Sequence, residues 1–180
     1  MKPENWPADN TFDETFWSDT TPENTSISTY NKSKTLAEKV MWDFREALPE
    51  AERFDCVSIN PSLIMGPAAQ TLEFASGGIM RDMMASSGTV GRTKMGMVDV
   101  RDVAKAHLLA IKNDAAKNQR FLLVSRSAWR SEMATCLAGE FNPQGWNIGT
   151  EESTDDTPFS YEVNNTKSRE VLGLDYISCE

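Results

Sequence analysis

Tyr30-Asn31-Lys32-Ser33-Lys34-Thr35-Leu36-Ala37-Glu38-Lys39-Val40-Met41-Trp42-Asp43-Phe44 is the stretch on which the fold turns. It holds no glycine or proline, follows two candidate caps at Ser26 and Ser28, and meets Pro49 just after Leu48, so it reads as one helix ending near Leu48. Leu36, Val40, Phe44 and Leu48 recur every four residues and are expected to form its buried stripe. Phe54-Asp55-Cys56-Val57-Ser58-Ile59-Asn60, a short run with β-branched residues stopped by Pro61, reads as a strand. A helix followed by a turn and a strand places the chain in the α/β class.

Outward from that unit, residues 71–86 suggest a helix rich in methionine (Met80, Met83, Met84), useful either as core filler or as a pliable pocket wall. Met95 to Val98 reads as a short strand, Val100 to Ile111 as an amphipathic helix and Phe121-Leu122-Leu123-Val124 as another strand. Ser131 to Phe141 is expected to be a helix opened by a serine cap, and Lys167 to Leu172 a last short helix closed by Gly173. Residues 1–26, rich in Pro, Asn, Asp and Thr without a period, read as a lead-in loop.

The 180 residues carry 18 Lys and Arg against 27 Asp and Glu, a net charge of −9. That excess is local: residues 1–25 hold one base against six acids, residues 151–157 hold four acids and no base, and the remainder is balanced. Both acidic stretches are expected to be solvated surface, and without a basic stripe nucleic acid is not an expected partner. No apolar run approaches a membrane span or a signal peptide. Cys56, Cys136 and Cys179 are odd in number and far apart, which argues against a disulfide framework or a structural zinc site and for a reduced, cytoplasmic protein. No metal site is expected.

Tyr30 and Lys34 lie four residues apart on the helix, so their side chains leave one face. A phenol titrating near pH 10 is a poor proton source at neutral pH, but a neighbouring ammonium favours its phenolate and makes it a usable general acid toward a carbonyl oxygen. His107, the only histidine, is expected on the apolar stripe of its helix as a packing residue, with no acid or nucleophile near it in sequence.

Three segments appear in a telling order: Tyr30 to Trp42; Ile59-Asn60-Pro61-Ser62-Leu63-Ile64-Met65-Gly66-Pro67; and Val98-Asp99-Val100-Arg101-Asp102-Val103-Ala104-Lys105-Ala106-His107. Together they resemble the extended short-chain dehydrogenase/reductases, in the group of dihydroflavonol reductase, cinnamoyl-CoA reductase and the fungal methylglyoxal and aldehyde reductases. The resemblance runs from about Phe12 to Leu174, and Asn164 to Gly173 is similar to the family's late helix. It implies an NADPH-dependent reductase of small aldehydes or ketones. Tyr30 would be the catalytic acid, and Lys34 would lower its pKa and hold the nicotinamide ribose. Pro61 and the backbone of Ser62, Leu63 and Ile64 would lie against the nicotinamide end, and Ser76 would bond the cofactor. Asp99, Arg101 and Asp102 would be structural. Nucleotide-sugar epimerases or dehydratases and hydroxysteroid dehydrogenases share the Tyr/Lys pair. Segments 66–97 and 126–160, where the substrate pocket is expected, lack the arginine cluster a diphosphate needs, which favours the small-carbonyl reductases.

A dinucleotide needs a glycine-rich turn after a strand to receive its pyrophosphate. The ten glycines make no such motif; Gly88-Thr89-Val90-Gly91 comes nearest, with Lys94 where a third glycine would stand. The expectation is therefore an α/β chain comprising the C-terminal part of a Rossmann-type doubly wound parallel sheet plus the smaller substrate-binding region, lacking the N-terminal glycine-rich βαβ unit. Its parts would be an acidic lead-in at 1–26, the catalytic helix and a late Rossmann strand at 27–67, and a mainly substrate-binding region at 68–180. The strand at 54–60 would present an open edge, to be covered by a missing half or by a partner. NADP(H) is the implied cofactor, with NAD(H) left open because the residue that reads the ribose 2′ position is not among these residues, and tight binding to this chain alone is not expected. The rival of another class is a truncated, non-catalytic paralogue acting as a binding module.

Overall fold

The computed structural model describes residues 6–68, 75–155 and 157–178. Its first long element is α1 (Thr29–Ala47), opened by Ser28, whose Oγ accepts the Asn31 N–H at 3.1 Å, and closed at Leu48 before Pro49. A short 3-10 turn leads to β2 (Val57–Pro61), which pairs in parallel with β5 (Gln119–Leu123), Val57 opposite Gln119 and Pro61 opposite Leu123. Between these two strands come β3 (Leu63–Met65), α2 (Ala75–Ala85), β4 (Lys94–Asp99) and α3 (Val100–Lys112). The chain continues through β6 (Arg126–Trp129) and α4 (Arg130–Phe141) to α5 (Thr166–Glu170). β4 pairs in parallel with β3 and antiparallel with β6. This is the expected α/β architecture with parallel pairing predominant.

Among the described residues β2 pairs with β5 alone. Its other edge is open, as the sequence suggested.

Two cores hold the chain together. The larger packs Val98, Ala106, Ala110, Phe121, Leu123, Leu172 and Leu174 between α3, the strands and the C-terminal segment. Phe121 is fully buried, worth about 2–3 kcal/mol of apolar transfer. The smaller packs Met83, Val90, Met97, Ala128, Met133 and Ala134 between α2, α4 and β4. Met83 is thus core filler.

Several expectations need correction. The 36/40/44 stripe of α1 faces outward: Leu36 is 47%, Val40 64% and Phe44 58% exposed. The half-buried side carries Thr35, Glu38, Trp42 and Arg45 instead. The reason is polar: Glu38 is ion-paired with Arg120 of β5 at 2.7 Å, and Arg45 Nε donates to the Phe54 carbonyl at 2.9 Å. Satisfied charges can be covered where periodicity alone would place them outside. On α4, Ser131 lies inside the first turn and donates to Glu152; the helix is capped by Glu132, whose carboxylate accepts the Trp129 N–H at 2.6 Å. The predicted start of α2 at 71–74, and Cys179, lie outside the described residues.

The lead-in is more ordered than a solvated loop. Asp9, Asp13, Asp19 and Asn24 each accept the backbone N–H two residues on, at Thr11, Thr15, Thr21 and Ser26, four Asx turns in succession. A two-residue strand β1 (Thr11–Phe12) pairs in parallel with β7 (Glu162–Val163). Glu14 Oε1 accepts the Leu122 N–H at 2.9 Å, so one of the six acids fastens the lead-in to β5.

Candidate active site

Tyr30 and Lys34 occupy one face of the first turns of α1, with Lys34 Nζ 5.6 Å from the centre of the Tyr30 ring. The spacing of four residues does this on a regular helix. Tyr30 is 67% exposed, and both residues share the uncovered side of α1 with the outward apolar stripe. Among the described residues neither the Tyr30 hydroxyl nor the Lys34 ammonium enters a hydrogen bond or ion pair. The pair is thus free to meet a ligand.

One residue further around the helix, Asn31 and Thr35 line a cavity of about 400 Å³ together with Asn60, Pro61 and Ser62 at the end of β2. Tyr30 and Lys34 are not among its lining residues. Ser62 is fully engaged, its N–H and its Oγ both donating to the Leu123 carbonyl, at 3.0 and 3.2 Å. Leu63 and Ile64 stand opposite Met97 and Val98 in the β3–β4 pairing. Ser76 lines a separate apolar cavity with Met65, Gly66, Met80, Met84 and Trp146. The structure therefore brings Pro61 and Ser62 beside α1 but leaves Ser76 with the methionines, where Met80 and Met84 serve as cavity wall.

The first cavity has an aromatic roof that sequence reasoning missed. Trp6, Phe12, Phe16 and Trp17 of the lead-in meet Phe159 and Tyr161, with Phe12 edge-on to Trp6 at 5.0 Å and to Phe16 at 4.5 Å. The expected pocket segments, 66–97 and 126–160, contribute only Phe159 to it. A density of four large rings in an otherwise polar lead-in was the available signal.

Asp99 caps α3: its Oδ1 accepts the Arg101 N–H at 2.7 Å, and its two oxygens take the Arg101 guanidinium at 2.9 and 2.7 Å. Those hydrogen bonds hold the Asp99 carboxyl below its ordinary range. Asp102 is 2% exposed and accepts the Ile177 N–H. Both are structural, as the resemblance implied. His107 is exposed rather than packed, its Nδ1 2.7 Å from the Val103 carbonyl, because the buried stripe of α3 runs through Asp102, Ala106 and Ala110.

No family model matches the chain. A cinnamoyl-CoA reductase of Medicago truncatula, CAD2, is 35% identical over 153 residues, covering 84% of this chain and 44% of its own length. The NADPH-dependent methylglyoxal reductase GRE2 of Saccharomyces cerevisiae is 27% identical over 180 residues, 92% of this chain and 52% of its own. Among solved structures, Gre2 of Candida albicans in complex with NADPH superposes with a TM-score of 0.75 at 29% identity, covering 94% of this chain and 54% of that one. The chain spans about half the length of the curated relatives it matches.

Proposed function

We propose, on the premise that this chain belongs to the extended short-chain dehydrogenase/reductases in the group of the cinnamoyl-CoA and methylglyoxal reductases, that it carries the proton-donating part of an NADPH-dependent reductase of small aldehydes or ketones. The observation that carries the reading is the Tyr30/Lys34 pair, side by side and without competing partners on the open side of α1.

The two ends of a dinucleotide fit this chain differently. Tyr30 and Lys34 are unengaged, and their neighbours on α1, Asn31 and Thr35, line the cavity that Pro61 also lines; the phenol and ammonium are a donor set suited to a ribose and a carbonyl. For the pyrophosphate the sequence offers no glycine-rich turn after a strand. The residues fit the nicotinamide end alone. NADPH supplies the hydride when bound.

Tyr30 gives its phenolic proton to the carbonyl oxygen as negative charge develops there. Lys34 favours the phenolate left behind and donates to the ribose hydroxyls. Pro61 and the backbone around Ser62 to Ile64 form the wall against the nicotinamide. Ser76, in the separate methionine-lined cavity, would be a further cofactor contact. The isolated chain is inactive in this reading, because its contacts reach only one end of the cofactor.

The test is a chimera in which this chain follows the portion of Candida albicans Gre2 that it does not cover. Reduction of methylglyoxal with NADPH is expected there. Tyr30→Phe should lower turnover by about 10²–10⁴-fold with little change in NADPH affinity, and Lys34→Ala should weaken both. Near-normal turnover in Tyr30→Phe would overturn the assignment.

A further inference from the structure

Arg120 of β5 sits where four parts of the chain converge. Its Nε and Nη2 donate to the two oxygens of Glu38 at 2.7 and 3.1 Å. Its Nη1 donates to the Phe16 carbonyl at 3.1 Å and to the Glu14 carbonyl. The Trp17 ring lies over the guanidinium, 3.6 Å from its carbon to the ring centre. Glu38 in turn accepts from Asn60, beside Pro61, at 3.4 Å and from Trp42 at 3.3 Å. Burial pushes the Glu38 carboxyl up, but hydrogen bonds from Arg120 foremost, then Ser58 and Trp42, together with the Arg120 charge, outweigh it and hold the group below its ordinary value.

The helix geometry makes this pairing matter for Lys34. Glu38 is four residues beyond Lys34, and Lys34 is four beyond Tyr30, so along α1 the ammonium stands between a phenol and a carboxylate, each one turn away. It stacks with Tyr30 and makes no ion pair among the described residues. Glu38 is unavailable to it because a forked guanidinium already covers both carboxylate oxygens.

We propose that Arg120 is a positioning residue: by saturating Glu38 it denies Lys34 a carboxylate partner and so keeps the ammonium beside Tyr30. The inference rests on the reading of Tyr30 and Lys34 as the working pair, but the juxtaposition it concerns can be measured without catalysis. With Arg120 removed, Glu38 keeps only neutral donors, Asn60 and Trp42 among them, and has no cation, so the lysine one turn away swings toward it.

The experiment is a carbon–proton correlation spectrum of the 180-residue chain, reading the upfield shift that the Tyr30 ring imposes on the Lys34 ε-methylene, with Tyr30→Leu defining its size. In Arg120→Met roughly half of that shift should be lost, as expected when an i, i+4 ion pair of ordinary strength competes for the lysine. Adding Glu38→Gln to Arg120→Met should restore it, since an amide holds no cation. Arg120→Lys keeps one cation against one oxygen and should fold even where Arg120→Met does not; it should lose a smaller share, again restored by Glu38→Gln. An unchanged shift in the single variants, or a loss that Glu38→Gln fails to restore, would overturn the proposal and leave Arg120 a purely structural clamp. If the shift behaves as expected while the Tyr30→Phe chimera keeps full turnover, the reductase reading fails and the positioning stands.

Discussion

Asp102 Oδ2 accepts the backbone N–H of Ile177 at 2.8 Å, joining the first turn of α3 to a segment 75 residues later. The carboxylate is 2% exposed, so its removal deletes a buried charged acceptor from a half-buried hydrogen bond. Asp102→Ala should cost about 2 kcal/mol, in the range for a hydrogen bond to a buried charged group, while Asp102→Asn, which keeps an acceptor oxygen, should cost less. Urea unfolding followed by circular dichroism measures both; equal effects would show that the charge rather than the acceptor matters.

The Asp99 carboxyl titrates below its ordinary value of 3.8 because Arg101 hydrogen-bonds it in the folded chain. A depressed folded pKa means that the unfolded chain takes up the proton first, so the stabilisation is complete above that ordinary value and drains away as pH falls through the folded one. Asp99→Asn should therefore flatten the fall in stability below about pH 4 and leave its shape near neutrality unchanged. Thermal melts from pH 2 to 7 read this directly.

Leu36, Val40 and Phe44 project from α1 into solvent, and among the described residues no strand pairs with the second edge of β2. Polar replacements, Leu36→Gln, Val40→Lys and Phe44→Glu, should each alter the stability of the chain by no more than about 0.5 kcal/mol, as exposed positions do. The parent chain should self-associate through this apolar surface and the unpaired edge, and the triple variant should do so less. Sedimentation velocity at several concentrations decides; a monomeric parent would contradict it.

Titrated with NADPH, the 180 residues should bind at about millimolar strength or weaker. The few contacts from Tyr30, Lys34 and the Pro61–Ile64 wall must offset an association entropy of about 4–15 kcal/mol without help from a phosphate cradle. Quenching of tryptophan fluorescence at micromolar NADPH would show that this chain holds the pyrophosphate in some other way.

Local chemistry was the legible part. Ser28 and Pro49 bound α1 and Asp99 opens α3, whereas the last helix, expected to run to Leu172, ends at Glu170 with Val171 as its cap, and Gly173, with φ of +67°, lies just beyond it. What sequence hid was pairing at a distance. Glu38 and Arg45 look like solvent residues until Arg120 and the Phe54 carbonyl are brought to them, so the apolar 36/40/44 stripe was assigned to the wrong side. β6, at Arg126-Ser127-Ala128-Trp129, was not anticipated, because Arg, Ser and Ala carry little β propensity and the strand forms along the edge that β4 offers. The aromatic roof escaped notice because its rings come from both ends of the chain.

The Arg120–Glu38 pair also has a schedule. Its partners are 82 residues apart, and the link from Arg120 to the Glu14 carbonyl spans 106. During synthesis at about 5–20 residues per second, α1 leaves the ribosome roughly 4–16 s before the arginine that completes its inner face. For that interval Glu38 has no cation from β5, and Lys34, one turn away, is the nearest substitute. The helix bearing Tyr30 thus reaches its final seat late, only after β5 has been made and has closed a long loop onto it.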